Sequence, residues 1–355
     1  MPPHRSRSFR SLRRCRKLCV TLALVCWALP ISTAFGKDRV RIHGDVFSEY
    51  TDNLFHYSDA RLAEFDLQMG PGERFENLDS SSDTVSRVRL RTDFNWRLRN
   101  KRDVRLSLDG AYYWHWQNDV ANYAETSAGL DVDTSKRGRL SFEVGRTTDR
   151  FKKNYRLADS TLFDDASYDQ TDFGVWYMHE MRKKGHWSLG GGYQARSRRF
   201  NAGFEGRDLD GDYVGVLTSY RLRRHARAET SIELGEVITG TELDAGVLID
   251  RSYDQFRVTQ AFSFDIGGDV DLEVELGFRR REFTSDVVLD GGRFDRMDDR
   301  IRLRVTVERK WKRGLTLRAR STVINADSDR VDSTVEIDEA GYDELSLGLG
   351  IGYRF

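Results

Sequence analysis

The sequence predicts an all-β chain, a single antiparallel transmembrane β-barrel of about 14 strands, and three observations support that fold class. Apolar and polar residues alternate with a period of two along most of the chain. Tight turns and long polar loops alternate between the predicted strands. Proline, which cannot donate a hydrogen bond to a β-ladder, occurs only once after residue 36, as Pro71.

The first 36 residues differ in composition from all the others. A basic start without acidic residues is followed by an apolar run over 18–31 and by the small-residue pattern Ala34, Phe35, Gly36. This pattern predicts a secretory signal peptide over 1–36 and one mature domain over 37–355. An N-terminal membrane anchor is the alternative, but the apolar run is shorter than the roughly 20 residues that a spanning helix needs. All three cysteines lie in this segment, so we expect no disulfide in the mature chain: Cys15, Cys19 and Cys26.

Charge argues against a nucleic-acid partner. Without the seven basic residues of the predicted signal, 50 Lys and Arg stand against 57 Asp and Glu, a net charge of −7. A phosphate backbone is bound by a net basic surface, so no nucleic acid is expected among the partners.

The predicted second strand shows the alternation most clearly. Val88, Leu90 and Phe94 are apolar, whereas Arg89 and Arg91 between them are charged. A helix would mix the two sets on every face, and a strand separates them. The same alternation recurs over 104–116, 270–278, 301–308 and 345–355.

The connections between strands alternate in length. Six tight turns are predicted near 100–102, 135–138, 182–185, 223–225, 266–269 and 312–314. Seven long loops are predicted near 51–83, 117–122, 151–167, 201–211, 239–250, 285–298 and 325–340. Short turns at one end and long loops at the other are typical of outer-membrane barrels, with turns in the periplasm and loops outside. Aromatic residues near both ends, such as Trp311 and Trp114, predict two girdles at the membrane interfaces.

Both ends of the mature chain resemble bacterial outer-membrane barrels. Gly350, Tyr353 and Phe355 resemble the C-terminal insertion signal, which implies the barrel-assembly machinery as a partner; Gly348 departs from the usual polar residue. Residues 49–55, EYTDNLF, resemble porin-type barrels, some of which are associated with exopolysaccharide export. The resemblance implies a Gram-negative outer membrane with its lipid and lipopolysaccharide as surroundings, and periplasmic components as partners if the protein exports polysaccharide.

No motif for catalysis, cofactor or metal emerges, so we expect neither an enzyme nor a cofactor. His179 and Glu180 are followed by Lys183 where a zinc-binding HExxH motif requires its second histidine. Asp208 and Asp210 begin like a calcium loop whose later positions are absent, and they predict a solvated loop tip.

If the apolar positions face lipid, the charged positions between them line the lumen. Seven arginines on the second, twelfth and thirteenth strands are predicted to form one arginine wall, because the last strand pairs with the first: Arg89, Arg91, Arg97, Arg302, Arg304, Arg318 and Arg320. Acidic positions on the fourth and fifth strands are predicted roughly opposite: Asp131, Asp133 and Glu143. The eleventh strand is predicted to add Arg279 above Glu273 and Glu275.

The predicted function is a porin-like channel for passive passage of hydrophilic solutes, carbohydrate-like or anionic, because barrels larger than about eight strands leave a pore unless something closes it. Guanidinium groups suit carboxylates, phosphates and sugar hydroxyls. Three alternatives remain open: lumen charges that only brace the barrel, a dedicated exopolysaccharide-export barrel, and a closed barrel that binds through its outer loops. The 51–83 loop could bind a partner or fold inward as a constriction.

Three polar residues fall on the predicted lipid face. Arg146 and Arg309 can be placed near the two rims, whereas Gln260 is near mid-strand and suggests a bulge or a shifted register.

Overall fold

The computed structural model describes residues 40–70, 72–98, 102–156, 162–181, 187–223, 225–244, 247–284, 296–311, 314–329 and 341–355. The predicted signal segment 1–36, with its three cysteines, lies outside these residues and stays a prediction. In the part of the chain that the structure describes, no helix has the length and apolar character needed to cross a membrane.

These residues form sixteen strands, one short α-helix, α1 at Asp59–Glu64, and three 3-10 helices at Phe65–Leu67, Asp119–Ala121 and Glu205–Arg207. The strands are β1 Val40–Thr51, β2 Asp83–Arg97, β3 Asp103–His115, β4 Tyr123–Asp133, β5 Gly138–Arg156, β6 Phe163–Glu180, β7 Trp187–Phe200, β8 Leu209–Arg223, β9 Ala226–Thr239, β10 Thr241–Asp244, β11 Val247–Asp250, β12 Tyr253–Gly267, β13 Val270–Phe283, β14 Met297–Lys310, β15 Leu315–Asp329 and β16 Tyr342–Arg354.

Fourteen of the strands form one closed antiparallel barrel, which confirms the predicted fold class and strand number. Neighbours in the barrel are neighbours in sequence, except that β9 pairs with β12 and that β1 closes the ring on β16. The short strands β10 and β11 pair only with each other, as a hairpin in the connection between β9 and β12. A closed ring leaves no unpaired strand edge in lipid.

Alternation sorts the side chains of each strand, as β14 illustrates. Ile301, Leu303 and Val307 are exposed on the outside. Arg302 and Arg304 point the other way, toward Glu275 on the inward positions of β13. The barrel therefore turns an apolar surface outward and an ionic surface inward.

One end of the barrel has tight turns. Between β12 and β13 the chain reverses through Gly267, Gly268 and Asp269, all with positive φ, a conformation that glycine adopts without steric cost. Phe355 lies at this end, where its backbone N–H donates to the carbonyl of Ile42 at 3.0 Å and 70% of the residue remains exposed.

At the opposite end the strands run further than the sequence predicts. The predicted loop over 151–167 is largely the upper part of β5 and β6, and β15 continues to Asp329. The outer face is ionic there, with Arg280 paired to Asp299 at 2.7 Å. Backbone pairing continues past the apolar band, so alternating hydrophobicity marks the end of the band and not the end of the strand.

Gln260 lies on the outer face without a bulge, so the expected irregularity was wrong. It pairs in unbroken register with Thr230 and Leu276. The Thr230 hydroxyl donates to Gln260 Oε1 at 2.6 Å, and Gln260 Nε2 donates to the carbonyl of Glu229 at 3.1 Å. These partners satisfy the amide where lipid cannot.

The two arginines of the outer face lie at the rims, as the sequence suggests. Arg146 pairs with Asp169 at 3.1 Å near the long-loop end, and the Arg309 guanidinium lies 5.2 Å from the ring centre of Trp311 near a tight turn. Charge at the rim costs little, because the head group reaches the interface.

The barrel is closed and antiparallel, with an apolar outer surface, an ionic inner surface, tight turns at one end and long connections at the other. This is the architecture of porin-type proteins of the bacterial outer membrane. The predicted location is therefore supported by the fold itself.

Candidate pore and its constriction

Residues 52–82, here called loop 1, cross the long-loop end of the lumen. At one side the His56 imidazole lies 3.0 Å from Glu344 and stacks on the Tyr342 ring at 4.7 Å, both on β16. At the other side Phe55 meets Phe151 of β5 edge to face at 5.5 Å. Because β16 and β5 lie five positions apart around the ring, loop 1 spans a large part of the mouth.

Loop 1 is packed around an apolar core of its own. Its buried residues pack with Ala121 and Phe151 and are Phe55, Tyr57, Phe65, Phe75 and Leu78. Each fully buried side chain of this size contributes about 1.5–3 kcal/mol by leaving water. The loop is therefore a folded element at the mouth.

Asp83, the first residue of β2, fixes the end of loop 1. It is 0% exposed, and its carboxylate accepts hydrogen bonds from the backbone N–H groups of Trp116, Gln117 and Asn118, each at 3.0 Å. Asn118 in turn accepts the N–H of Asp79 at 2.9 Å. The connection between β3 and β4 thus holds loop 1 in place.

Replacing Asp83 by Ala is expected to release loop 1 while the barrel stays closed. Hydrogen bonds to a charged group contribute about 1.5–3 kcal/mol each. The backbone N–H groups of Gln117 and Asn118 would lose this acceptor, whereas that of Trp116 keeps the carbonyl of Thr84 at 3.1 Å. We expect faster cleavage of loop 1 by an added protease, measured by mass spectrometry of the fragments. Asp59→Ala, at an exposed position of α1, is the matched control. Equal cleavage rates in the two variants would contradict this role of Asp83.

The upper part of β5 bends into the mouth. Two irregularities, at Thr147–Arg150 and Phe151–Lys153, break its register with β6, and Asp149, within the first of them, has a positive φ. Bulges bend a strand and redirect its side chains. They turn Arg150 inward, where its guanidinium lies 4.8 Å from the ring centre of Tyr123.

Beneath loop 1 lies a cavity of about 500 Å³, here called the outer chamber. Ten Lys and Arg residues and five Asp and Glu residues line it, and one of these acids, Asp299, turns its side chain to Arg280 on the outer face. Glu344 is engaged by His56, and Asp298 by Arg296 at 2.7 Å. The chamber therefore carries a surplus of positive charge.

Three arginines stand side by side on the inner wall, and two of them, Arg279 and Arg300, line the outer chamber. Arg279 of β13 is paired in register with Arg257 of β12 and with Arg300 of β14. Arg257 reaches Glu233 at 3.3 Å. Among the described residues, Arg279 and Arg300 form no ion pair with a carboxylate, and neither does Arg150.

Arg279 is a residue that the sequence predicts for the lumen, whereas Arg150, Arg257 and Arg300 were missed. Simple alternation along β12 and β14 was enough to find Arg257 and Arg300. It could not find Arg150, because the bulges of β5 reverse the side on which it lies.

The other predicted arginines occupy inward positions lower in the barrel, and most carry an acidic partner. The ion pairs are Arg89–Asp109 at 2.6 Å, Arg91–Asp93 at 3.1 Å, Arg97–Asp103 at 3.5 Å, Arg304–Glu275 at 3.9 Å, Arg318–Glu308 at 2.8 Å, and Arg302–Glu275. Ion pairing, which joins different strands in every case except Arg91–Asp93, thus neutralises much of the positive charge predicted for the lumen.

Arg320 is held differently, through an aromatic ring. Its guanidinium lies 4.8 Å from the ring centre of Phe47, and Arg87 approaches the same ring at 5.8 Å. A Cβ added to Gly348 or Gly350 would fall within 3.0 Å of that ring, so β16 needs glycine there. Phe47 therefore packs between Arg87 of β2 and Arg320 of β15 and accounts for glycine at position 348.

The predicted acidic residues are also on inward positions. Asp131 accepts a hydrogen bond from the Ser141 hydroxyl at 2.7 Å, and Asp133 pairs with Arg139 at 3.2 Å. Glu143 is exposed to the lumen, and Glu273 lies opposite Thr306 in register.

The aspartates that begin like a calcium loop bind side chains of β7. Arg199 lies 2.8 Å from Asp210 and 3.9 Å from Asp208, and the Tyr193 hydroxyl donates to Asp212. Within the described ranges, no group of three or more His, Cys, Asp and Glu is placed to hold a metal ion.

Acid is expected to loosen loop 1 through His56. The pKa of this imidazole is lowered from 6.5 to about 4, chiefly by burial and also by nearby Arg300 and Lys152, against the opposing effect of Glu344. A released loop would regain the ordinary pKa, so docking favours the neutral ring and weakens as pH falls from about 6.5 to about 4.

Single-channel recordings from pH 7 to pH 4.5 measure this effect. We expect wild-type conductance to rise on acidification and His56→Gln, which keeps a hydrogen-bond donor but does not titrate, to respond less. Identical pH profiles for the two proteins would assign the response to other groups.

No protein-family model matches the chain, and comparison with curated proteins finds no match. Solved structures with a similar barrel include the anion-selective porin from Comamonas acidovorans, with 10% identity, 89% and 98% of the two chains covered and a TM-score of 0.45. The outer membrane channel DcaP of Acinetobacter baumannii is also similar, with 10% identity, 89% of this chain and 97% of that chain covered, and a TM-score of 0.48. A bacterial polysaccharide outer membrane secretin has 9% identity, with 88% of this chain and 98% of that chain covered and a TM-score of 0.42.

Proposed function

We propose that the protein is a passive outer-membrane channel for small hydrophilic solutes, and that it favours anions. The observation that carries this proposal is the outer chamber, where ten basic residues meet five acidic ones. Fixed positive charge in a confined space raises the local concentration of anions.

The way in which these cations are held supports the proposal. Arg150 rests on Tyr123, and Arg198 lies 4.2 Å from the ring centre of Tyr168. An aromatic face holds a guanidinium without cancelling its charge, whereas a carboxylate cancels it. The planar group can then offer paired N–H donors to a passing carboxylate or phosphate.

The lower lumen contributes differently. There most arginines are paired with acids, so the bracing role that the sequence leaves open fits this region better than ion selection does. We therefore place selectivity in the outer chamber, not in the arginine wall as a whole.

Reversal potentials across planar bilayers in a potassium chloride gradient test the proposal. We expect ohmic conductance with chloride more permeant than potassium, and a stronger preference in dilute salt, where screening is weaker. Absence of conductance from protein that shows heat-modifiable gel mobility would overturn it.

The packing of loop 1 favours a second candidate, a barrel closed at its mouth that binds partners through its outer loops. The two functions differ in whether the folded protein conducts at neutral pH. Export of polysaccharide, which the resemblance of residues 49–55 implies, stays a prediction.

A further inference from the structure

A tryptophan lies flat against the inner wall of the barrel. It is closer to the tight-turn end of the barrel than the outer chamber is. Trp176 of β6 occupies an inward position opposite Gly192 of β7, and Gly215 of β8 follows in the same row. A Cβ added at either glycine would fall within 3.0 Å of the indole ring. One face of the indole therefore rests on backbone, and no larger residue fits beneath it.

The indole also borders a cavity of about 440 Å³. The residue is half-buried, unlike the exposed outer-face Tyr177 that follows it. Because one face is against the wall, its remaining exposed surface is turned to the lumen. This is an aromatic platform held in place before any solute arrives.

Polar groups flank the platform on both sides. Gly174, two positions along β6, pairs with Glu143 on β5 and with Gln194 on β7, so the wall between those two side chains is bare backbone. Glu143 is exposed and forms no ion pair or side-chain hydrogen bond within the described part of the chain. Asp172, the next inward residue, is held by Arg196 at 2.7 Å.

Charge around this cavity is nearly balanced. Four inward-facing arginines and four acidic residues line it, whereas ten basic and five acidic residues line the outer chamber. Electrostatics alone therefore gives an anion little preference here. A flat aromatic surface beside hydrogen-bonding groups suits a ligand that has one apolar face and a polar rim.

We infer that Trp176 is the platform of a binding subsite for a neutral pyranose ring, part of a saccharide that passes through the lumen. The C–H groups on one face of a pyranose pack against the electron-rich face of an indole. Its rim hydroxyls would donate to Glu143 and exchange hydrogen bonds with Gln194. The inference rests on the proposed channel function and names a solute class for it.

Isothermal titration calorimetry in detergent, with maltotetraose as the probe, tests this subsite apart from conduction. We expect saturable binding to wild type, about tenfold weaker binding to Trp176→Ala, and a smaller loss in Trp176→Phe. Trp114→Ala, which removes an exposed outer-face tryptophan, is the matched control and should bind like wild type. Polyethylene glycol of similar mass, which cannot stack, should give no saturable heat.

Gly192→Ala keeps the tryptophan but lifts it from the wall, so it should also weaken binding if Trp176→Ala does not fold. Undiminished affinity in a folded Trp176→Ala or Gly192→Ala protein would overturn the subsite, as would equal binding of polyethylene glycol. Binding without conductance in bilayers would overturn the channel and leave the subsite standing. Anion-selective conductance without saccharide binding would overturn the subsite and leave the channel standing.

Discussion

Replacing residues 54–79 by a short Gly-Ser linker is expected to raise single-channel conductance severalfold. The replaced segment contains the apolar core of loop 1 and His56, the contact to β16. A ring of fourteen strands is wider than one filled by its own side chains, so removing the cover should expose an aqueous path. Planar bilayer recordings at neutral pH measure the change.

A matched deletion in another outer connection controls for general loosening of the mouth. The β10–β11 hairpin pairs only with itself, so its removal should leave conductance near the wild-type value. Heat-modifiable gel mobility would show that both barrels fold. Unchanged conductance after removal of loop 1 would contradict its role as the constriction and favour a loop that serves surface binding.

Neutralising the chamber arginines is expected to reduce anion preference strongly. Arg150→Gln, Arg279→Gln and Arg300→Gln together remove three positive charges that no described carboxylate balances. Each charge changes the local potential by an amount comparable to thermal energy, so we expect the chloride-to-potassium permeability ratio to fall about tenfold in dilute salt. Reversal potentials in 0.1 M and 1 M salt would show the effect shrinking as screening increases.

Two outer-face arginines provide the control for this triple variant. Arg146→Gln and Arg309→Gln also remove positive charge, but from the rims outside the lumen. They should leave the permeability ratio unchanged. An equal shift in both sets would show that total charge, not the chamber, determines selectivity.

The barrel can be predicted from the sequence because the alternation of apolar and polar residues within each strand shows which side chains face lipid and which face the lumen. Alternation in segments such as Val88 to Leu98 identifies the strands, and the unequal connections orient the two ends. Proline is absent from the described strands, in keeping with continuous pairing.

The properties of the candidate pore were harder to predict from the sequence because they depend on contacts between strands. Arg89 looks like a free charge along β2 and becomes half of an ion pair only when the register brings Asp109 beside it. Arg150 changes side through bulges that have no alternation signal. The position of loop 1 across the mouth follows from packing between Phe55 and Phe151, more than ninety residues apart.

The seam between β1 and β16 has a consequence for biogenesis. Nine residue pairs, from His43–Arg354 to Thr51–Ser346, join the beginning of the described chain to its end. A polypeptide interrupted before Tyr342 would leave two rows of bare amides facing hydrocarbon, each costing several kcal/mol. Translation must therefore continue through β16 before a lipid-stable product can exist, and nonsense alleles upstream of Tyr342 should behave as complete losses.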